Sequence, residues 1–360
     1  MSAITILAFI AGLLLLIVGA ELLVRGASRL ATAVGISPLV VGLTVVAFGT
    51  SAPEMAVSVQ SSLAGQSDVA VGNVVGSNIA NILLILGCSA LAAPLIVSRQ
   101  LARLDVPLMV VASLVVYGLA WNGRLGQLES SLLFLGVIGY TSYSIYQSRR
   151  EGQKAANELP DLKTAPPKGA RQLAGNALIA TAGLGLLVFG ADLLVDAAVT
   201  AAEFLGVSKL VIGLTIVAVG TSMPELATSV VASLRGEREI AVGNVVGSNL
   251  FNLLAVLGLA GMVTPGGLLV SAQALQFDLL VMTAVALLCL PIFLTGDTIS
   301  RGEGALFLGY YAAYIAYLVL AAVQHPALPL FQTIMGWVII PLTIVGLLLI
   351  TVRKKTLRVR

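Results

Sequence analysis

The chain has 360 residues, 58% of them apolar and only 10% charged, with a formal net charge of +3. A soluble chain is nearer about 45–50% apolar and a quarter charged, so a soluble enzyme, a nucleic-acid reader and a disordered scaffold are excluded. Two cysteines in apolar runs (Cys88, Cys289) and one histidine (His325, beside Pro326) leave no material for a disulfide framework, a thiolate metal cluster or Ser-His-Asp catalysis.

A membrane-spanning helix needs about 20 apolar residues. Apolar runs bounded by charge, Gly or Pro predict eleven spans, over about 3–24, 38–63, 69–94, 104–121, 128–147, 173–195, 209–234, 240–263, 274–295, 304–323 and 329–352. The first run lacks a basic flank, is too long for a signal-peptide core and has a later counterpart, so it reads as a mature helix. Residues 148–172 form the one long polar segment, with Pro160, Pro166, Pro167 and mixed charge, and read as a flexible connector. With the N-terminus outside, eighteen of the 20 Lys and Arg fall on one side; only Arg124 and Lys209 fall on the other. The positive-inside rule makes the eighteen cytoplasmic, and with them the basic tail Arg353-Lys354-Lys355.

The chain also repeats itself. Residues 42–87 and 213–258 align at a constant offset of 171, with 29 of 46 positions identical. The identities include Thr, Ser, Pro, Glu and Asn, so shared hydrophobicity does not explain them. Upstream, Gly19-Ala20-Glu21 meets Gly190-Ala191-Asp192; downstream, after a two-residue slip, Asp105 meets Asp278. The expected architecture is an all-α membrane protein. It has a five-helix repeat (1–147), a cytoplasmic linker (148–172), a second five-helix repeat (173–323), and an extra helix with a basic tail (324–360). An odd unit enters the membrane upside down the second time. Charge agrees: Arg25 and Arg29 become Asp196 and Thr200, while Ala64 and Ser67 become Arg235 and Arg238. Inverted repeats build transporters that bind substrate near the bilayer midplane.

Each repeat carries one acid deep in an apolar run, Glu54 and Glu225, each behind Gly-Thr-Ser-x-Pro. An ionised carboxylate at the bilayer centre costs at least about 2.5 kcal/mol, so two at equivalent places point to function rather than to protonated structural glutamates. Thr50 and Ser51 precede Glu54 by four and three residues and share its helix face. Pro53 cannot donate a backbone hydrogen bond, so carbonyls near Ala47 are expected to be released as ligands. Ala218, Thr221, Ser222 and Pro224 repeat this around Glu225. The next helix carries Asn73, Ser77 and Asn81 at intervals of four, plus Asn78; its copy carries Asn244, Ser248, Asn252 and Asn249. These residues read either as ligands or as hydrogen-bonding glue between helices. Gly72 with Gly76, and Gly243 with Gly247, form small faces for close packing. Oxygen-only ligation suits calcium, magnesium or sodium rather than zinc or copper. Two carboxylates match one divalent ion, several sodium ions or two protons.

At these residues, Gly-Thr-Ser-x-Pro-Glu at 49–54 and 220–225 and Gly-Asn-Val-Val-Gly-Ser-Asn at 72–78 and 243–249, the chain resembles the cation/calcium exchanger superfamily, most closely its prokaryotic sodium/calcium branch. The resemblance implies a ten-helix core, with the first and sixth helices sliding across it to alternate access. It implies ligands at Ala47, Thr50, Ser51, Glu54, Ser77 and Asn81, then Ala218, Thr221, Ser222, Glu225, Ser248 and Asn252. Some members have Asp where this chain has Asn252. The proton-coupled branch usually has a further Glu in the second signature helix, and its absence here favours sodium over protons. The expectation is a Na+/Ca2+ antiporter, with an H+-coupled calcium or other divalent exchanger of the same fold as the alternative. Ca2+ and Na+ are its cargo, and the lipid bilayer is its setting. No cofactor, nucleic acid or obligate protein partner is expected. The compact linker and lack of a targeting segment favour a prokaryotic inner membrane. Glu21, Asp192, Asp105 and Asp278, near span ends, are expected to cap helices or snorkel rather than relay ions.

Overall fold

A computed structural model describes residues 3–158, 170–205, 212, 216, 218–295 and 298–346. The chain is helical almost throughout, because in an apolar medium backbone amides must bond within their own segment. The helices are α1 (Ala3–Val34), α2 (Pro38–Thr50), α3 (Ala52–Leu63), α4 (Ser67–Ala92), α5 (Leu101–Asn122), α6 (Gln127–Glu158), α7 (Ala170–Phe204), α8 (Met223–Leu234), α9 (Arg238–Val263), α10 (Ala274–Leu294), α11 (Arg301–Ala322) and α12 (Leu328–Gly346).

Among the described residues, eight helices are long and apolar enough to cross a membrane, or nine if the bent pair α2–α3 is one span. Of the eleven predicted spans, 128–147 lies in α6, where Tyr140 to Ser144 lower the hydropathy. The span 209–234 falls partly outside the described residues. Helices also outrun the apolar runs that predicted them. α1 continues to Val34, and α6 and α7 reach into the predicted connector, of which 159–169 lie outside the described residues. The tail at 353–360 and Lys209 lie outside them too.

α1 and α7 run antiparallel and pack along their length through glycines spaced by seven. A Cβ on Gly12 would come 2.7 Å from the Leu194 amide nitrogen; one on Gly19 would come 2.7 Å from that of Leu187. Gly183 and Gly190 meet Gly19 and Gly12 reciprocally, and the members of each cross-pair are 171-residue counterparts of the other's. No side chain larger than hydrogen fits between backbones this close. α2 packs on α9 in the same way: a Cβ on Gly247 would lie 2.6 Å from the Leu43 carbonyl oxygen.

Two small antiparallel ladders tie distant loops: β1 (Leu95–Ile96) with β4 (Thr298–Ile299), and β2 (Arg124–Leu125) with β3 (Leu268–Leu269). Each joins a strand from the first half to one from the second. Buried apolar side chains concentrate on α4 and α9, which form the centre of the packing. α12 is exposed along its described length and touches the rest mainly through α11, where the Tyr310 hydroxyl donates to Thr343 Oγ1 at 2.7 Å.

Candidate functional site

The two acids sit where helices break. α2 ends at Thr50, Ser51 takes non-helical angles (φ −82°, ψ 6°), and α3 sets off at 45° with Pro53 in its first turn. Proline is tolerated there because a first-turn N–H has no partner within the helix. Ser222 does the same (φ −90°, ψ 9°) before α8, with Pro224 in the first turn. Glu54 and Glu225 therefore stand in the first turns of α3 and α8, where aligned backbone dipoles favour negative charge. Both are 0% exposed.

The breaks bring the acids together across the molecule. Ser51 Oγ donates to Glu225 Oε1 at 3.2 Å, and Ser222 Oγ donates to Glu54 Oε1 at 3.1 Å. Thr50 Oγ1 donates to Asn244 Oδ1 at 3.1 Å, and Thr221 Oγ1 to Asn73 Oδ1 at 3.4 Å. Ser222 Oγ also lies 3.2 Å from Ser77 Oγ. Each carboxylate thus uses one oxygen on a serine 171 positions from its own. The other oxygens, Glu54 Oε2 and Glu225 Oε2, are buried with no hydrogen-bond partner among the described residues.

Asn81 and Asn252 complete the pattern. Each opens a π-helical turn, Asn81–Leu86 in α4 and Asn252–Val256 in α9. Such wide turns occur often at functional sites, where they re-aim a side chain off the α-helical register. Asn81 Nδ2 donates to Asn249 Oδ1, and Asn252 Nδ2 to Asn78 Oδ1, both at 3.1 Å. Their own oxygens are buried and have no partner among the described residues, and the same holds for Ser248 Oγ. Five oxygens in the predicted ligand set therefore lack a partner among the described residues, a state that costs roughly 1–3 kcal/mol per group unless a ligand satisfies it.

The structure separates the asparagines that sequence reading left open between ligand and glue. Asn73 Nδ2 donates to the Glu54 carbonyl at 3.2 Å and to Ser58 Oγ at 3.0 Å, while its oxygen accepts from Thr221. Asn244 does the same with the Glu225 carbonyl (3.4 Å), Ser229 Oγ (2.9 Å) and Thr50. Asn78 and Asn249 each spend their oxygen on the other half's Asn. All four use both ends of the amide on protein partners.

Two expectations need correction. The Ala47 carbonyl is not released: it accepts the Ser51 N–H at 3.0 Å, because the break falls at Ser51, one turn later than predicted. Thr50 Oγ1 also lies 3.4 Å from the same oxygen. The Ala218 backbone opens the short turn Ala218–Gly220, and its side chain lies outside the described residues. Asp105, expected as an interfacial cap, is instead 0% exposed inside α5, where Oδ1 accepts the Tyr140 hydroxyl at 3.1 Å. Asp278 accepts the Tyr314 hydroxyl at 3.4 Å. Glu21 pairs with Arg25 on its own helix and with Arg235 beyond α8; Asp192 is exposed.

Sequence reading missed Met109 and Met282, whose sulfurs accept from Asn249 Nδ2 (3.3 Å) and Asn78 Nδ2 (3.7 Å). A signal existed: they are 173 residues apart, the slipped offset that relates Asp105 to Asp278. Among the described residues no group of three or more His, Cys, Asp and Glu gathers, and the side chains that donate to the two carboxylates are the hydroxyls of Ser51 and Ser222.

The profile of the family described as "Sodium/calcium exchanger protein" matches residues 4–146 and 176–320. The "Inner membrane protein YrbG" of Escherichia coli is 37% identical over 316 residues, covering 86% of this chain and 95% of its own. The "Sodium/calcium exchanger MaX1" of Methanosarcina acetivorans is 33% identical over 349 residues, covering 88% and 99%. The solved structure of the sodium-calcium exchanger NCX_Mj, soaked with 10 mM Na+ and zero Ca2+, superposes with a TM-score of 0.76 at 29% identity, covering 88% of this chain and 99% of the other. The fold, the paired signatures and these matches agree: the chain is an integral membrane protein of the sodium/calcium exchanger family.

Proposed function

We propose that the chain is a secondary antiporter exchanging Na+ for Ca2+ by alternating access, in a prokaryotic inner membrane. The observation that carries the reading is the pair of fully buried glutamates, each held by a serine of the opposite half and each with one oxygen that has no partner among the described residues. Ca2+ takes about 6–8 oxygens, and Na+ and Ca2+ both accept hard ligands. The ligand set we assign is Ala47, Thr50, Ser51, Glu54, Ser77 and Asn81 with Ala218, Thr221, Ser222, Glu225, Ser248 and Asn252. Two negative charges balance one Ca2+, or most of the charge of several Na+. A buried dianion without counter-charge is costly, so the carrier reorients far more readily loaded than empty. That penalty is what makes exchange obligatory.

The architecture we assign is eleven spans with the N-terminus outside and the C-terminus cytoplasmic. Repeats at 1–147 and 173–323 are inverted about an axis through α1 and α7, with the linker at 148–172 and an added helix at 324–360. The reciprocal glycine contacts of α1 with α7 and the two cross-half ladders support the inversion. No cofactor or protein partner is required.

Uptake of calcium-45 into proteoliposomes loaded with Na+, K+ or choline at clamped pH tests this. Uptake that requires internal Na+ is the expected result. Uptake driven by a pH gradient without Na+ would instead make the chain an H+-coupled exchanger of the same fold.

A further inference from the structure

The amide oxygens of Asn81 and Asn252 can face a cation only if their NH2 groups face away. What sets that direction lies outside the ligand shell. A thioether sulfur accepts hydrogen bonds and never donates. Met109, on α5, accepts from Asn249 Nδ2 at 3.3 Å, which turns Asn249 Oδ1 toward Asn81. Asn81 must answer an oxygen with its NH2, so Asn81 Oδ1 is left for the site, where it has no partner among the described residues. The second relay runs the opposite way across the molecule: Met282 on α10, then Asn78, then Asn252, whose Oδ1 likewise has no partner among the described residues. All six side chains are buried, at 2% exposure or less. Water therefore does not compete for these groups, and each amide's orientation depends on the next.

We propose that Met109 and Met282 are positioning residues: each sets the polarity of an Asn–Asn relay so that Asn81 and Asn252 present oxygen, not NH2, to the cation. This rests on the cation-site reading of Glu54, Glu225, Asn81 and Asn252. The two relays are unequal. Asn78 Nδ2 has a second acceptor, the Asn249 carbonyl at 3.5 Å, whereas for Asn249 Nδ2 the one acceptor found among the described residues is Met109. Losing the Met109 sulfur lets the Asn249 amide turn over. Asn81 then turns with it and points NH2 at the ion. Losing the Met282 sulfur leaves Asn78 still held.

Leucine nearly conserves methionine's volume, so Met→Leu changes the acceptor with little disturbance of packing. We expect Met109→Leu to weaken equilibrium Ca2+ binding by the purified full chain about three- to tenfold, the range of one buried hydrogen bond. In calcium-45 flux it should raise KM with kcat little changed, and Met282→Leu should do less. An Asp at 249 has two acceptor oxygens and no amide to turn, so in an Asn249→Asp background Met109→Leu should cost nothing further. That double-mutant cycle separates relay polarity from packing. Unchanged affinity in Met109→Leu, equal loss in both backgrounds, or a larger loss in Met282→Leu would each overturn the proposal. Should Asn249→Asp not fold, the ranking of the two Met→Leu variants decides. Glu54→Gln is the separate control: full Ca2+ binding there would remove the cation site itself, whatever the methionine variants do.

Discussion

Around Glu54 and Glu225 the hydrogen bonds come in pairs related by the 171-residue offset; around Glu21 they do not. At the centre, Ser51 with Glu225 answers Ser222 with Glu54, and Asn73 with Ser58 answers Asn244 with Ser229. The contact of Ser222 with Ser77 is an exception: its counterpart, Ser248 Oγ, has no partner among the described residues. At the edge, Glu21 pairs with Arg25 and Arg235, and Ser28 Oγ donates to Glu237 Oε1 at 2.8 Å. The corresponding positions hold Asp192, Asp196, Ala64, Val199 and Gln66, which can form neither tie. In the proposed exchanger the centre meets the same ions from both halves, so both halves keep one chemistry. The edges, in the proposed orientation, face opposite sides of the membrane and follow the charge rule of the side they face.

The largest effects should come from breaking the centre. Glu54→Gln or Glu225→Gln removes half of the site's charge, and each should lower calcium-45 exchange at least about 100-fold, as expected when a buried charge interaction worth several kcal/mol is lost. Near-normal exchange in either would break the comparison at its core. Next is the α1·α7 seam. Gly19→Leu or Gly183→Leu forces a side chain against backbone and should cost about 1–3 kcal/mol or more, read as a lowered melting temperature in detergent. Ser51→Ala and Ser222→Ala each take one hydrogen bond from a carboxylate. They should weaken Ca2+ binding by similar factors, corresponding to about 1.5–3 kcal/mol. A large inequality between them would show that the pairing is geometric without being energetic. Smallest is the edge. Glu21 and Arg235 retain 19% and 48% side-chain exposure, so Arg235→Ala should shift stability by no more than about 1 kcal/mol, and less in high salt.

Much of the centre was legible from residues alone, for a physical reason. Acids and asparagines in apolar helices are costly, and their recurrence at one offset marks them. Glu54, Glu225 and their hydroxyl neighbours were found this way. The roles of the asparagines were not, because a donor and an acceptor at one position can serve an ion or a neighbouring helix, and only three-dimensional partners decide. Met109 and Met282 carry no such mark, since hydropathy holds no signal of a thioether's acceptor role. Helix ends were misjudged where α1, α6 and α7 continue past their apolar runs, because helical propensity does not stop at the membrane surface. Asp105 looked interfacial by position, but its partner Tyr140 is 35 residues away and draws it inside.

In the proposed exchanger Glu54 and Glu225 build one shared cation site rather than two independent half-sites. Equilibrium Ca2+ binding to purified wild type, Glu54→Gln, Glu225→Gln and the double variant tests it most directly. A shared site predicts that either single change removes nearly as much binding as both together. Two half-sites would instead leave half of the bound Ca2+ in each single variant, and that result would contradict the account.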